Sequence, residues 1–156
     1  MKSLANTPPS SLAKWLGTIR LHLKKNHFLA ISIGLVYLWF GGLKFIPHLS
    51  PAEDLARRTT DVLTLGLIPS DVSYFLLALW ETLIGACLLL NIYRRPATLL
   101  ALIHMVCTFA PLIIFPEQSF LEAPLCLTLK GQYIMKNLII IAALIHVYRL
   151  PMKKTI

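Results

Sequence analysis

The sequence predicts an all-α membrane protein, a bundle of four transmembrane helices with both termini cytoplasmic and a short outer helix after the first span. Three observations predict it. Four stretches, 27–46, 72–92, 96–115 and 131–150, are apolar over about 20 residues, the length that crosses a hydrocarbon core about 30 Å thick. Basic residues gather on one side of those stretches. The polar residues inside them fall on stripes of small residues. Composition agrees: 56% hydrophobic, 14% charged and a mean hydropathy of +0.69 leave too little polar surface for a soluble domain of 156 residues.

Three regions follow: a basic cytoplasmic segment over 1–26, a membrane domain over 27–150, and a basic cytoplasmic tail over 151–156. The first segment opens with a Ser/Pro stretch. It continues either as a solvated tail or as a basic amphipathic helix (Leu12, Trp15, Leu16, Ile19, Leu23) suited to an anionic surface. Lys24 and Lys25 precede the first span as they would precede a signal peptide. That span is long for a signal sequence and no small-x-small cleavage site follows it, so it reads as a retained signal anchor. Next comes "SPAEDLARRTTDVLTLGLIPSD", with Ser50 as N-cap, Pro51 at the first helical position and Glu53 three after the cap. This capping-box pattern predicts the short outer helix, ended near Gly66 and Pro69. "NIYRRP" is only a tight turn, so the second and third spans should pack antiparallel, with Pro96 starting the third. The connection over 116–130 is longer and apolar, and either folds back over the outer mouth of the bundle or lies as an interfacial loop.

Charge sets the orientation. Lys2, Lys14, Arg20, Lys24, Lys25, Arg94, Arg95, Arg149, Lys153 and Lys154 lie on one side, and only Arg57, Arg58 and Lys130 on the other. The first side is therefore cytoplasmic. Six of the seven acidic residues lie on the outer side, and the seventh, Glu81, is within a span. The net charge of +8 is thus a topological signal and does not call for a nucleic-acid partner. Cys87, Cys107 and Cys126 form no CxxC and show no metal spacing, so no metal site is expected and the cysteines read as packing residues.

Helices in hydrocarbon associate through small residues that allow close approach and polar residues that bond across the interface. At alternating steps of three and four, the first span reads Ala30, Gly34, Tyr37, Gly41, Lys44, His48 and the second Tyr74, Ala78, Glu81, Gly85, Leu88. The third reads Ala97, Ala101, His104, Thr108, Pro111, and the fourth Gln132, Lys136, Ile139, Ala143, His146. The polar cluster expected where the four faces meet is Tyr37, Lys44, Glu81, His104, Thr108, Gln132 and Lys136.

A charge at mid-span costs at least about 2.5 to 3.5 kcal/mol, so Glu81 needs a partner, a proton or water. Lys44 and Lys136 are the available partners. Each has a plainer reading. Lys44 can snorkel to the outer headgroups, Glu81 can form a register-fixing ion pair, His104 and Tyr37 can be core, and Thr108 can satisfy backbone freed at Pro111. With both lysines and one glutamate charged, the pocket would hold surplus positive charge. It would favour a small anion, or an acceptor whose oxygens become negative on reduction, with His104 and Glu81 moving protons.

Four motifs in order resemble one family. "IGLVYLWFGGLKFIP", "LWETLIGACLLLN", "TFAPL" and "GQYIMKNLIIIAAL" are similar to the four helices of DoxX-like membrane proteins, in particular the YkgB-like branch. The matching positions are Gly41, Lys44, Glu81, Pro111, Gly131 and Lys136. Asn137 stands where that branch often has an acidic residue, and the first outer loop is shorter here. The resemblance implies a bacterial inner-membrane protein tied to quinone-linked redox chemistry or oxidative-stress defence, with a membrane or soluble redox partner. No bound cofactor is visible in the sequence itself; quinone enters only through the resemblance. Two other functions compete: a small-solute or ion carrier, and a non-catalytic assembly subunit. Any enzymatic role would be that of a subunit of a membrane oxidoreductase.

Overall fold

A computed structural model describes residues 27–150. The expected basic N-terminal segment, with its amphipathic helix, and the C-terminal tail lie outside the described residues. The chain runs α1 (His27–Leu43), α2 (Glu53–Leu63), α3 (Ser70–Leu89), α4 (Arg94–Cys107), α5 (Ala110–Ile114), α6 (Pro116–Ser119), β1 (Phe120–Glu122), β2 (Cys126–Leu127) and α7 (Leu129–Arg149). The long helices form a ring in which α1 packs on α3, α3 on α4, α4 on α7 and α7 on α1, the α1–α3 contact being the most extensive.

Three helices are long and apolar enough to cross a membrane: α3, α4 continued through α5 to Ile114, and α7. Their outward faces carry large apolar side chains, among them Leu83, Ile103, Ile113 and Ile139, each more than half exposed. Such a surface is stable against lipid and unstable against water, as expected of a membrane protein. The core is correspondingly small, built from Ala30, Ile33, Tyr37, Ile84, Leu88, Ala97, Ala101, Met105, Leu144 and Val147.

The first span departs from expectation. Its helix stops at Leu43 after 17 residues, about 26 Å, and does not reach Ile46. Beyond Gly41-Gly42 the backbone bonds tighten to three-residue spacing, Lys44 to Gly41, Phe45 to Gly42 and Ile46 to Leu43, and Pro47 prevents any return to the α form. In the antiparallel α1–α3 pair, α1 therefore ends near the level of Glu81, while α3 continues about 16 Å further to Ser70. The irregular segment 44–52 and α2 cover that extra length, with Phe45 edge-on to Phe75 at 5.5 Å.

The outer helix exists as α2, but it begins at Glu53 with Ala52 at the cap and no side-chain cap bond. His48 takes a left-handed conformation that turns its N–H back to the Glu53 carboxylate at 2.8 Å. The glutamate thus reaches further back than the capping box allows, and Ser50 contributes only its carbonyl, to Glu53 N–H. The α3–α4 turn is tight as expected, with Asn91 and Tyr93 left-handed.

The third connection folds into a short antiparallel hairpin, a small addition to an otherwise helical chain. It is tied to the bundle where the Ser119 hydroxyl donates to Pro111 O at 3.1 Å and where Thr128 caps α7 through Gly131 N–H. A Cβ on Gly131 would run into the Ser119 carbonyl, so only glycine lets α7 start this close to the connection.

Candidate functional site, a polar cluster at the centre of the ring

The cluster begins with a close approach of two backbones. An added Cβ on Gly85 would lie 2.6 Å from Leu38 N and 2.8 Å from Gly34 O, and one on Gly41 would lie 2.9 Å from Glu81 Cβ and Thr82 N. Only glycine permits this contact. It places the turn after α1 directly over Glu81 on α3. Lys44 Nζ then donates to Glu81 Oε2 at 2.6 Å, with side-chain exposures of 11% and 9%. The lysine is paired inside the protein and does not snorkel.

His104 on α4 brings Nε2 to 3.3 Å from Glu81 Oε1. Its other nitrogen, Nδ1, lies 3.2 Å from the Tyr37 hydroxyl, which crosses the ring from α1 and also lies 3.2 Å from Ala101 O. The rings of Tyr37 and His104 meet edge to face at 5.7 Å. An unbroken series of polar atoms therefore joins ammonium, carboxylate, imidazole, hydroxyl and carbonyl across α1, α3 and α4.

Of the seven residues expected to meet, Tyr37, Lys44, Glu81 and His104 do. Thr108 sits one turn further along α4, where the helix breaks before Pro111; it donates to Met105 O at 2.6 Å and accepts from Asn137 Nδ2 at 2.9 Å. Gln132 and Lys136 lie on the exposed face of α7. Gln132 turns back to Leu127 O at 3.4 Å, and the Lys136 ammonium lies 5.1 Å from the centre of the Tyr133 ring. The expected Glu81–Lys136 pair does not form. The buried face of α7 runs through Gly131, Ile134, Leu144 and Val147, with half-buried Asn137 and Ile141 between them. This is one residue, about 100°, away from the stripe through Lys136. Asn137 is thus the α7 residue that sequence reasoning missed as a contact. Its signal was its place beside Gly131 and Ile134 on one stripe.

This displacement changes the charge. The cluster holds one ammonium and one carboxylate, so the surplus of positive charge expected from two lysines is absent and the argument for a small anion loses its basis. The cysteines also divide. Cys87 packs against the core, whereas Cys107 and Cys126 are exposed.

Two grooves run along the α3–α4 seam. The first, about 330 Å³, is lined by Thr60, Ser73, Leu76, Ile103, His104 and Cys107, with His104 as its one imidazole. The second, about 350 Å³ and almost wholly apolar, is lined by Leu83, Ile84, Cys87, Pro96 and Leu100. Trp80 borders both. The histidine that closes the buried series is thus also part of a groove on the apolar side of the bundle.

A second polar group occupies the loop end. Arg57 donates to Glu53 Oε1 at 3.0 Å and to Asp71 Oδ1 at 2.7 Å, and its guanidinium lies 4.4 Å over the Tyr74 ring. The hydrogen bond from Arg57 holds the Glu53 carboxyl below its ordinary range against the effect of burial, helped by His48 N–H. Burial acts to lower the Arg57 guanidinium, but its bonds to Glu53 and Asp71 win and hold it above its ordinary value. No protein-family model matches this chain, nor does a curated protein or a solved structure.

Proposed function

We propose that the protein is a DoxX-like inner-membrane protein, of the YkgB-like branch, that serves as a quinone-interacting subunit of a redox-linked membrane complex. The observation that carries this reading is the groove of about 330 Å³ in whose wall His104 stands, because His104 is backed by Glu81, Lys44 and Tyr37. A quinone enters laterally from lipid, its ring against Trp80, Leu76 and Ile103, and its carbonyl oxygen toward the imidazole. Reduction places negative charge and then protons on that oxygen; Nε2–H, only 3.3 Å from Glu81 Oε1, turns to the quinone oxygen and supplies both kinds of stabilisation. Electrons come from a partner protein.

In this reading the segment of α1 and its irregular continuation complete a fourth crossing, and both termini are cytoplasmic. Arg94, Arg95 and Arg149 support that orientation by lying at the end of the bundle where α1 begins and α7 ends, opposite the acidic residues of α2 and of the hairpin.

The test isolates Trp80 by replacing Trp15 and Trp39 with phenylalanine in lipid-reconstituted protein. A short-chain ubiquinone analogue should quench Trp80 saturably, and His104→Leu should weaken that binding at least about tenfold, the value of one charge-free hydrogen bond in a dry site. Quenching that is linear in concentration, or unchanged in His104→Leu, would remove the reading. One observation favours a non-catalytic assembly role instead: both Glu81 oxygens are already engaged within the cluster. A folded Lys44→Met, Glu81→Leu double variant that keeps full complex activity would decide for that alternative.

A further inference from the structure

We propose that the central cluster is a one-proton binding site, with the proton held on His104 and the Tyr37 hydroxyl acting as the rotor that makes both protonation states hydrogen-bonded. This follows from the protein's own geometry and does not depend on which ligand enters the groove.

Tyr37 has a single hydroxyl proton and two neighbours at the same distance, Ala101 O and His104 Nδ1, each 3.2 Å away. The carbonyl can only accept, whereas the imidazole nitrogen accepts or donates according to its protonation. Two complete arrangements exist. With neutral imidazole, Nε2–H faces Glu81 Oε1 and the Tyr37 O–H donates to the bare Nδ1. With imidazolium, Nε2–H still faces Glu81, Nδ1–H donates to the Tyr37 oxygen, and the hydroxyl turns to Ala101 O. The second differs from the first by one added proton, one new N–H bond and one rotation about the phenolic C–O bond. No heavy atom needs to move.

Most buried histidines lack this option. In low dielectric, a donor or acceptor left without a partner costs about 1 to 3 kcal/mol and more when charged, so one protonation state is usually excluded. Here Nδ1 and the hydroxyl have a partner in both states, and Nε2–H keeps the Glu81 carboxylate 3.3 Å away as its ionic neighbour. The groups that face the imidazole are Tyr37 from α1, Lys44 from the turn after it and Glu81 from α3; Thr60, Thr64, Ser73 and Cys107 line the groove beside it. Lys44 and Glu81 balance one another, so the neutral form adds no charge and the protonated form adds one positive charge beside the groove. Any group that becomes negative in the groove would favour the protonated form.

The experiment is solid-state NMR of the full chain in lipid bilayers, with ¹⁵N-histidine and ¹³C-tyrosine labels, from about pH 3 to about pH 9, wide enough for an imidazole away from its ordinary range. His104→Gln and Tyr37→Phe assign the resonances. The neutral form should be the Nε2–H tautomer with a hydrogen-bonded Nδ1. Conversion to imidazolium should shift the Tyr37 ring carbon bearing oxygen in step with the histidine nitrogens. In Tyr37→Phe the Nδ1 resonance of the neutral form should move to that of a nitrogen without a hydrogen bond. A neutral His104 found as the Nδ1–H tautomer would overturn the proposal. So would a Tyr37 signal unmoved while His104 titrates, or a His104 that holds one state over the whole range. The wild-type measurement alone decides, whether or not either variant folds.

Discussion

Two carboxylate–cation–tyrosine groups stand about half a helix apart on α3, and they are built for different conditions. In the central one, Lys44 and Glu81 are nearly inaccessible, with Glu81 about midway along α3. In the other, Arg57, itself 27% exposed, bridges a Glu53 side chain 10% exposed and an Asp71 side chain 93% exposed beside Tyr74, so that one of its two bonds opens to water. The same chemistry has different worth in the two places. A buried pair loses the screening of water, so removal of either member strands the other, whereas an exposed pair is screened and weak. The centre is therefore the part of the molecule where charge can decide between states, and the loop end is where charge merely fastens α2 to α3.

The sharpest way to break this contrast is Lys44→Met. It leaves the Glu81 carboxylate with only an imidazole beside it and should cost about 3 to 5 kcal/mol in equilibrium unfolding from lipid or detergent. Adding Glu81→Gln to the same chain should restore most of that loss. A single variant within about 1 kcal/mol of wild type would show that the two groups are equivalent after all. Next comes Gly85→Leu, which pushes side-chain atoms into the Leu38 and Gly34 backbone and should cost about 1 to 3 kcal/mol by separating α1 from α3.

Smaller effects sharpen the comparison on α7. Asn137→Leu removes the bond to Thr108 and should cost about 0.6 to 1.7 kcal/mol, the range of hydrogen bonds between membrane helices. Lys136→Met should change stability by no more than about 0.5 kcal/mol, as for an exposed side chain away from packed features. The smallest effect belongs to the loop end. Because Arg57 and His48 N–H lower the Glu53 carboxyl, its contribution is complete above the unfolded glutamate value near about 4.3. It is lost as the pH falls through the lower folded value. Protection factors of α2 amides should accordingly be constant near neutral pH and fall only below about pH 4.

What could be read from the sequence follows the same division. On α1, α3 and α4 the stripes through Tyr37, Glu81 and His104 carried small residues at nearly every other step, and these helices meet along those faces. On α7 the chosen stripe rested on Lys136, with Ala143 its one small member, and a lysine near a helix end needs no interior partner when an aromatic ring such as Tyr133 can receive its ammonium. The better guide was the plainer row through Gly131 and Ile134. The early end of α1 was half legible: Gly41-Gly42 and Pro47 marked a weakened helix, but only the depth of α3 beside it shows that Lys44 is turned inward. The hairpin could not be foreseen, because "FLEAPLCL" is short, apolar and without a turn signal beyond one proline.

The pairing of α1 with α3 also bears on how the chain is made. Lys44 and Glu81 both belong to the part of the chain synthesised before α4 leaves the ribosome. Each alone would resist partition into lipid, at about 2.5 to 3.5 kcal/mol per charge on insertion scales. Joined across the glycine contact, ammonium and carboxylate neutralise one another, so α3 can carry Glu81 into apolar surroundings without a net charge and, with α1, offer α4 a finished surface on which to dock its histidine.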